Sequence, residues 1–125
     1  MTKRILVVED QEDNRRIIRD LLMSAGYELI EAADGETGVR LAETERPDLI
    51  LMDIQLPVLD GYEATRRIKQ NPELRAIPIV VVTSYALSGD DVKAMQAGSD
   101  AYVAKPFSPR ELLATIRKFL GDAKG

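Results

Sequence analysis

Leu49-Ile50-Leu51-Met52-Asp53-Ile54-Gln55-Leu56-Pro57 is the stretch on which the fold turns: four apolar residues, an acid, and a proline soon after. So short and uniform an apolar run suits a strand buried on both faces, as in a parallel sheet; a strand with one wet face would alternate. Ile5-Leu6-Val7-Val8 and Ile79-Val80-Val81-Val82 repeat the pattern on either side. Tyr27–Ala32 and Ala101–Ala104 are more mixed and suit the edges of a sheet.

Helical patterns fill the intervals. Ile17, Ile18, Leu21, Leu22 and Ala25 recur at helical spacing and Gly26 follows as a C-terminal cap. Leu112, Leu113, Ile116 and Leu120 repeat that spacing behind Ser108-Pro109-Arg110-Glu111, which supplies a cap residue, a proline for the first helical position and a capping-box glutamate. Asp60-Gly61-Tyr62-Glu63 has the same box spacing, Ser88 with Asp91 is a weaker version, and Gly98 closes the helix containing Val92 and Met95. Strand and helix therefore alternate as (βα)₅. Right-handed crossovers then give a doubly wound parallel sheet with helices on both faces. The three most apolar strands belong in the middle, which predicts the strand order 2-1-3-4-5.

A length of 125 residues allows one sizeable core, so residues 1–125 are expected to form one domain, with its core over about 3–120 and a short frayed tail at Asp122–Gly125. A net charge of −4 and a pI near 4.9 argue against a nucleic-acid-binding face. No apolar run approaches the ~18 residues of a membrane helix and no signal-peptide pattern opens the chain, so no membrane association and a cytoplasmic location are expected. The absence of Cys removes disulfides, thiol nucleophiles and thiolate metal sites. The absence of His removes an imidazole base, phosphohistidine and ordinary zinc or iron sites. Carboxylates, hydroxyls, lysine, backbone and a hard cation remain.

In a doubly wound sheet ligands bind outside the carboxyl ends of the strands, where the strand order reverses. The polar residues at those ends are Glu9 and Asp10 after strand 1, Asp53 after strand 3, Thr83 ending strand 4 and Lys105 after strand 5. Two like charges ~5 Å apart cost about 3 kcal/mol at an effective dielectric near 20. A cation relieves that repulsion, and an all-oxygen site suits Mg²⁺. Mg²⁺, a lysine and a hydroxyl around an aspartate are the parts needed to spread charge over three phosphoryl oxygens while a carboxylate attacks. Taken singly, each residue has an ordinary reading. Glu9 and Asp10 could form a solvated loop, Asp53 could cap a turn, Thr83 could be a β-former, Lys105 a surface lysine and Tyr102 an edge-strand aromatic. Their joint occurrence at successive strand ends is what favours a site. Asp60 keeps its ordinary reading as a turn and helix-cap residue.

From about Lys3 to Leu120 the chain resembles a response-regulator receiver domain of two-component signalling, which has a flavodoxin-like fold. The matching segments are Ile5-Leu6-Val7-Val8-Glu9-Asp10, Leu51-Met52-Asp53-Ile54-Gln55-Leu56-Pro57 with Asp60-Gly61, Val82-Thr83-Ser84 and Lys105-Pro106-Phe107, in family order and spacing. The resemblance implies that Asp53 is the phosphoacceptor. It implies that Glu9, Asp10, Asp53 and the backbone carbonyl of Gln55 bind Mg²⁺, with Glu9 able to act through water. Thr83 would hydrogen-bond the phosphoryl group, Lys105 would pair with it, and the Lys105–Pro106 bond would be cis. Tyr102 matches the family's switch aromatic, which turns inward as Thr83 moves toward the phosphate. Gln55 and Tyr85 stand where side chains tune water access and thus the phosphorylated lifetime. Leu56 and Ala104 replace residues the family often has as Met and as Thr or Ser.

The implied donor is a histidine kinase or a histidine phosphotransfer protein, and the implied output is contact with a downstream protein through the fourth helix, fifth strand and fifth helix. Such a module is expected to be a monomer or a weak phosphorylation-dependent dimer, and to catalyse only its own phosphorylation and dephosphorylation. Tyr85-Ala86-Leu87-Ser88-Gly89-Asp90 and the run Asp53–Ala64 resemble single-domain regulators of the DivK type and receivers attached to hybrid histidine kinases. With no output domain after the fifth helix, a stand-alone receiver is expected. A haloacid-dehalogenase-like phosphatase would carry a second Asp where Gln55 stands, together with a cap domain. A flavodoxin-like FMN carrier would need a phosphate loop where Glu9-Asp10-Gln11-Glu12-Asp13 would repel the phosphate.

Overall fold

In the computed structural model the three apolar runs become strands β1 (Arg4–Val8), β3 (Leu49–Asp53) and β4 (Ile79–Thr83). The mixed segments become β2 (Glu28–Ala32) and β5 (Ala101–Ala104). Helices α1 (Glu12–Ser24), α2 (Gly35–Glu45), α3 (Gly61–Gln70), α4 (Asp90–Ala97) and α5 (Pro109–Leu120) follow the five strands in turn. The structure describes residues 2–83 and 90–121, with side chains at all of these except Thr83, Asp90 and Asp91. The Ser88–Asp91 box, Tyr85 and the tail from Asp122 lie outside the described residues or side chains.

All strand pairs are parallel and the order is β2-β1-β3-β4-β5, the flavodoxin-like arrangement. Register explains why the central strands are apolar throughout. Ile5 pairs with Leu49 and Leu6 with Ile50, so neighbours across the sheet share a face. Ile5, Val7, Leu49, Leu51 and Val80 point to one side, where Ile18 and Leu22 of α1 and Leu112 and Ile116 of α5 cover them. Leu6, Val8, Ile50, Met52, Ile79 and Val81 point to the other, against Ala42 of α2, Ala64 and Ile68 of α3 and Ala94 of α4. A one-residue slip of a central strand would leave both faces apolar but break this pairing; the turns and helix ends hold the register.

The helix starts follow from short polar side chains. The Asp60 carboxylate accepts from Glu63 N at 2.9 Å and the Ser108 hydroxyl accepts from Glu111 N at 3.0 Å, with Pro109 opening α5. Asp34 opens α2 in the same way, accepting from Thr37 N at 2.7 Å. Gly26 and Gly98, beyond the ends of α1 and α4, take φ of 95° and 104°. Two apolar patterns turn out differently from their spacing. Ile17 is 62% exposed although Ile18 is buried, and α4 turns Ala94 and Ala97 inward and leaves Val92 and Met95 exposed.

Candidate functional site

Strand register builds the site. Asp53 ends β3 level with Val82 of β4, and Val82 is level with Val103 of β5. One step on, Thr83 pairs with Ala104, and Lys105 follows directly. Glu9 follows β1, its N–H held by the Ala32 carbonyl at 3.0 Å and its own carbonyl accepting from Arg15 Nη1 of α1 at 3.0 Å. The parallel sheet thus delivers residues from four separate stretches of chain to one edge.

There, carboxylate oxygens of Glu9, Asp10 and Asp53 lie within 4.8 Å of one another. Glu9 and Asp53 are buried, whereas Asp10 is exposed. Lys105 Nζ donates to Asp53 Oδ2 at 2.8 Å and to Glu9 Oε1 at 3.3 Å. The other Asp53 oxygen, Oδ1, accepts from Gln55 N at 3.0 Å, and Glu9 Oε2 accepts from Gln11 N at 3.3 Å. Burial, reinforced by the Asp53 carboxylate, pushes the Glu9 carboxyl up to about 7 against the opposing pull of Lys105. Burial pulls Lys105 down, but its hydrogen bond to Asp53 and the charges of Asp53 and Glu9 outweigh it, leaving the ammonium above its ordinary value.

Three acids answered by one lysine leave the cluster with excess negative charge and with hard oxygen donors, two of them held in fixed positions. That donor set fits a hard divalent cation such as Mg²⁺. The Lys105–Pro106 peptide bond is cis.

The structure brings Glu9, Asp10, Asp53 and Lys105 into contact and places Gln55 against Asp53 through its N–H. Thr83 reaches the same edge by its backbone. Tyr102 stands apart on β5, 42% exposed, beside an open groove formed with Ala104, Glu111 and Thr115. Three further features shape the site in ways the sequence motifs do not disclose. Arg15 ties α1 to the loop after β1. Gly61 lets the start of α3 press on Asp53, since a Cβ there would stand 2.1 Å from the Asp53 carbonyl oxygen. A groove of about 470 Å³ lined by Asn14, Ile17, Ile18, Lys105, Pro106 and Phe107 opens beside the site, and the exposed Ile17 of α1 forms part of its wall.

Known proteins resemble this chain over nearly its whole length. Residues 5–117 match the family described as response regulator receiver domain. The chain is 46% identical over 123 residues to the polar-differentiation response regulator DivK of Brucella ovis, covering 98% of this chain and 100% of that one. It is 44% identical to the receiver domain of a sensor histidine kinase from Pseudomonas aeruginosa, solved with a magnesium ion coordinated in its active-site cleft. That match has a TM-score of 0.91 and covers 98% of this chain and 100% of the other. The chemotaxis protein CheY4 of Vibrio cholerae superposes with a TM-score of 0.89 at 28% identity, over 95% and 99% of the two chains. Shared strand order, an acidic cluster at the switch point and these full-length matches lead to one conclusion: this chain belongs to the response regulator receiver domain family.

Proposed function

We propose that the chain accepts a phosphoryl group on Asp53, in a Mg²⁺-dependent reaction, from the phosphohistidine of a histidine kinase or histidine phosphotransfer protein. The observation that carries this reading is the state of Asp53: a buried carboxylate at a strand end, gripped through both oxygens by Lys105 and by Gln55 N. Glu9, Asp10 and Asp53, with the Gln55 carbonyl, would hold Mg²⁺, which when bound supplies the positive charge that lets an acidic pocket receive a phosphoryl group.

An Asp53 oxygen attacks phosphorus in line, an O–P bond forms, and the P–N bond breaks with its electron pair returning to the donor imidazole. Lys105, already within 2.8 Å of Asp53, keeps its proton and pairs with a transferring oxygen. Gln55 N holds the second carboxylate oxygen and so fixes the plane of the nucleophile. Thr83 hydrogen-bonds the acquired group, and Tyr102, exposed before transfer, turns inward. The acyl phosphate carries about −1.5 to −2 where the carboxylate carried −1, and this change shifts an equilibrium between two forms of the α4–β5–α5 face, where a downstream protein docks. Gln55 and Tyr85 set the access of water to the acyl phosphate and so its lifetime.

Intact-mass spectrometry after incubation with acetyl phosphate tests the reaction. A gain of one phosphoryl group that requires both Mg²⁺ and Asp53 is expected, and Asp53→Asn should remain unmodified. An equal gain in Asp53→Asn would remove Asp53 from its role.

A further inference from the structure

The loop from Asp53 to α3 carries Gln55 past the acidic cluster, and its shape is not one its own residues favour. Val58, β-branched and exposed, has φ of 69°. Leu59 N donates to the Pro57 carbonyl at 2.7 Å across it, a tight three-residue turn of a strained kind. A second tight bond runs from Leu56 N to the Ile54 carbonyl at 3.1 Å. Such a loop persists only when contacts outside it fix its path.

One fixed point is Gly61, whose N–H donates to the Ile54 carbonyl at 3.0 Å. The other is Gly35, the first residue of α2. A Cβ on Gly35 would stand 1.9 Å from the Leu59 carbonyl oxygen, 2.8 Å from its carbon and 3.0 Å from Leu59 Cβ. The first two obstacles are backbone and cannot rotate aside. Gly35 is not among the positive-φ glycines, so its conformation would accept alanine, which helices prefer by roughly 1 kcal/mol. Glycine is therefore needed for the close approach and not for the turn.

We propose that Gly35 is a positioning residue for the cation site: its bare Cα seats the Leu59 carbonyl and so holds the Ile54–Leu59 loop where Gln55 serves Mg²⁺. The proposal rests on the receiver reading above. Calorimetric Mg²⁺ titration, thermal unfolding in EDTA and phosphoryl uptake from acetyl phosphate test it on three proteins: the native chain, Gly35→Ala and Gly98→Ala. Gly98, with φ of 104° at the opposite end of the sheet, provides a variant that destabilises without touching the loop.

The expected result is Mg²⁺ binding at least fivefold weaker and uptake slowed in Gly35→Ala, with Gly98→Ala within twofold of the native chain despite a lowered Tm. Gly35→Ala within twofold of native, or Gly98→Ala weakened equally, overturns the proposal and leaves the receiver reading intact. A native chain that neither binds Mg²⁺ nor gains a phosphoryl group overturns both. Should Gly35→Ala fail to fold, Leu59→Gly loosens the same seat without a clash; at least fivefold weaker Mg²⁺ binding is expected, and unchanged binding overturns the proposal.

Discussion

Glu9 shows how much a single residue at this edge is shaped by its neighbours. Only 2% of it is exposed, Asp53 adds negative charge beside it, and Lys105 reaches it at 3.3 Å, longer than the 2.8 Å bond to Asp53. The unfolded chain releases this proton near 4.5, whereas the folded protein holds it to about 7. Between those values the native state binds the extra proton, so raising the pH through that window removes stability, by up to about 3 kcal/mol. In EDTA, denaturant unfolding should show stability falling between about pH 5 and pH 7.5, and Glu9→Gln should flatten that slope. A native profile as flat as that of the variant would mean that Glu9 ionises normally. The sequence placed Glu9 at a strand end but could not reveal this shift, because burial and the approach of Asp53 arise only once β1 and β3 pair.

At the scale of elements, the sheet was readable because its central strands are covered on both faces, which leaves uninterrupted apolar runs at Ile5–Val8, Leu49–Met52 and Ile79–Val82. The helices were less transparent. In α2 the fully buried residues are Gly35, Gly38 and Ala42, too small to mark a face, with Val39 and Leu41 only partly buried, and its cap Asp34 pairs with Thr37 instead of a capping-box glutamate. In α4 the larger side chains point outward and the alanines inward, so the apolar pattern marks the wrong side.

Lys69 is a further case hidden from sequence. Its ammonium, on α3, donates to the carbonyls of Arg75 and Ile77 at 3.0 and 2.8 Å and to Asp100 Oδ2 at 2.8 Å; the same oxygen accepts from Ile79 N. One side chain thus ties the end of α3 to the approach to β4 and to the turn before β5. Lys69→Met keeps most of the stem but takes the ammonium from two carbonyls and from Asp100, whose Oδ2 keeps only Ile79 N. It should cost about 1–2 kcal/mol in chemical denaturation while Mg²⁺ affinity stays native, since the node sits at the end of the sheet away from Asp53. A loss below about 0.5 kcal/mol would show that the node behaves as an ordinary surface ion pair.

Across the whole molecule, burial is unevenly shared, and this asymmetry says where a signal can travel. Helices α1 and α5 each sink two large aliphatic side chains, Ile18 with Leu22 and Leu112 with Ile116, and each such side chain stabilises by roughly 1.5–3 kcal/mol. The described buried residues of α4 are Ala94 and Ala97, which contribute far less, and α4 packs beside β5, an edge strand with Tyr102 exposed. Thr83, at the end of β4, adjoins the segment that leads into α4. On the proposed function, a charge acquired at Asp53 and sensed through Thr83 would meet a lightly anchored part of the fold, while β1 and β3 are locked in the centre of the sheet. Hydrogen exchange before and after phosphorylation with acetyl phosphate and Mg²⁺ should show several-fold changes over residues 90–104 and unchanged protection in β1 and β3. Tyr102→Ala should mute the change in β5 without slowing phosphoryl uptake. Changes confined to α1 and β2 would place the output on the opposite side of the sheet and refute the α4–β5–α5 assignment.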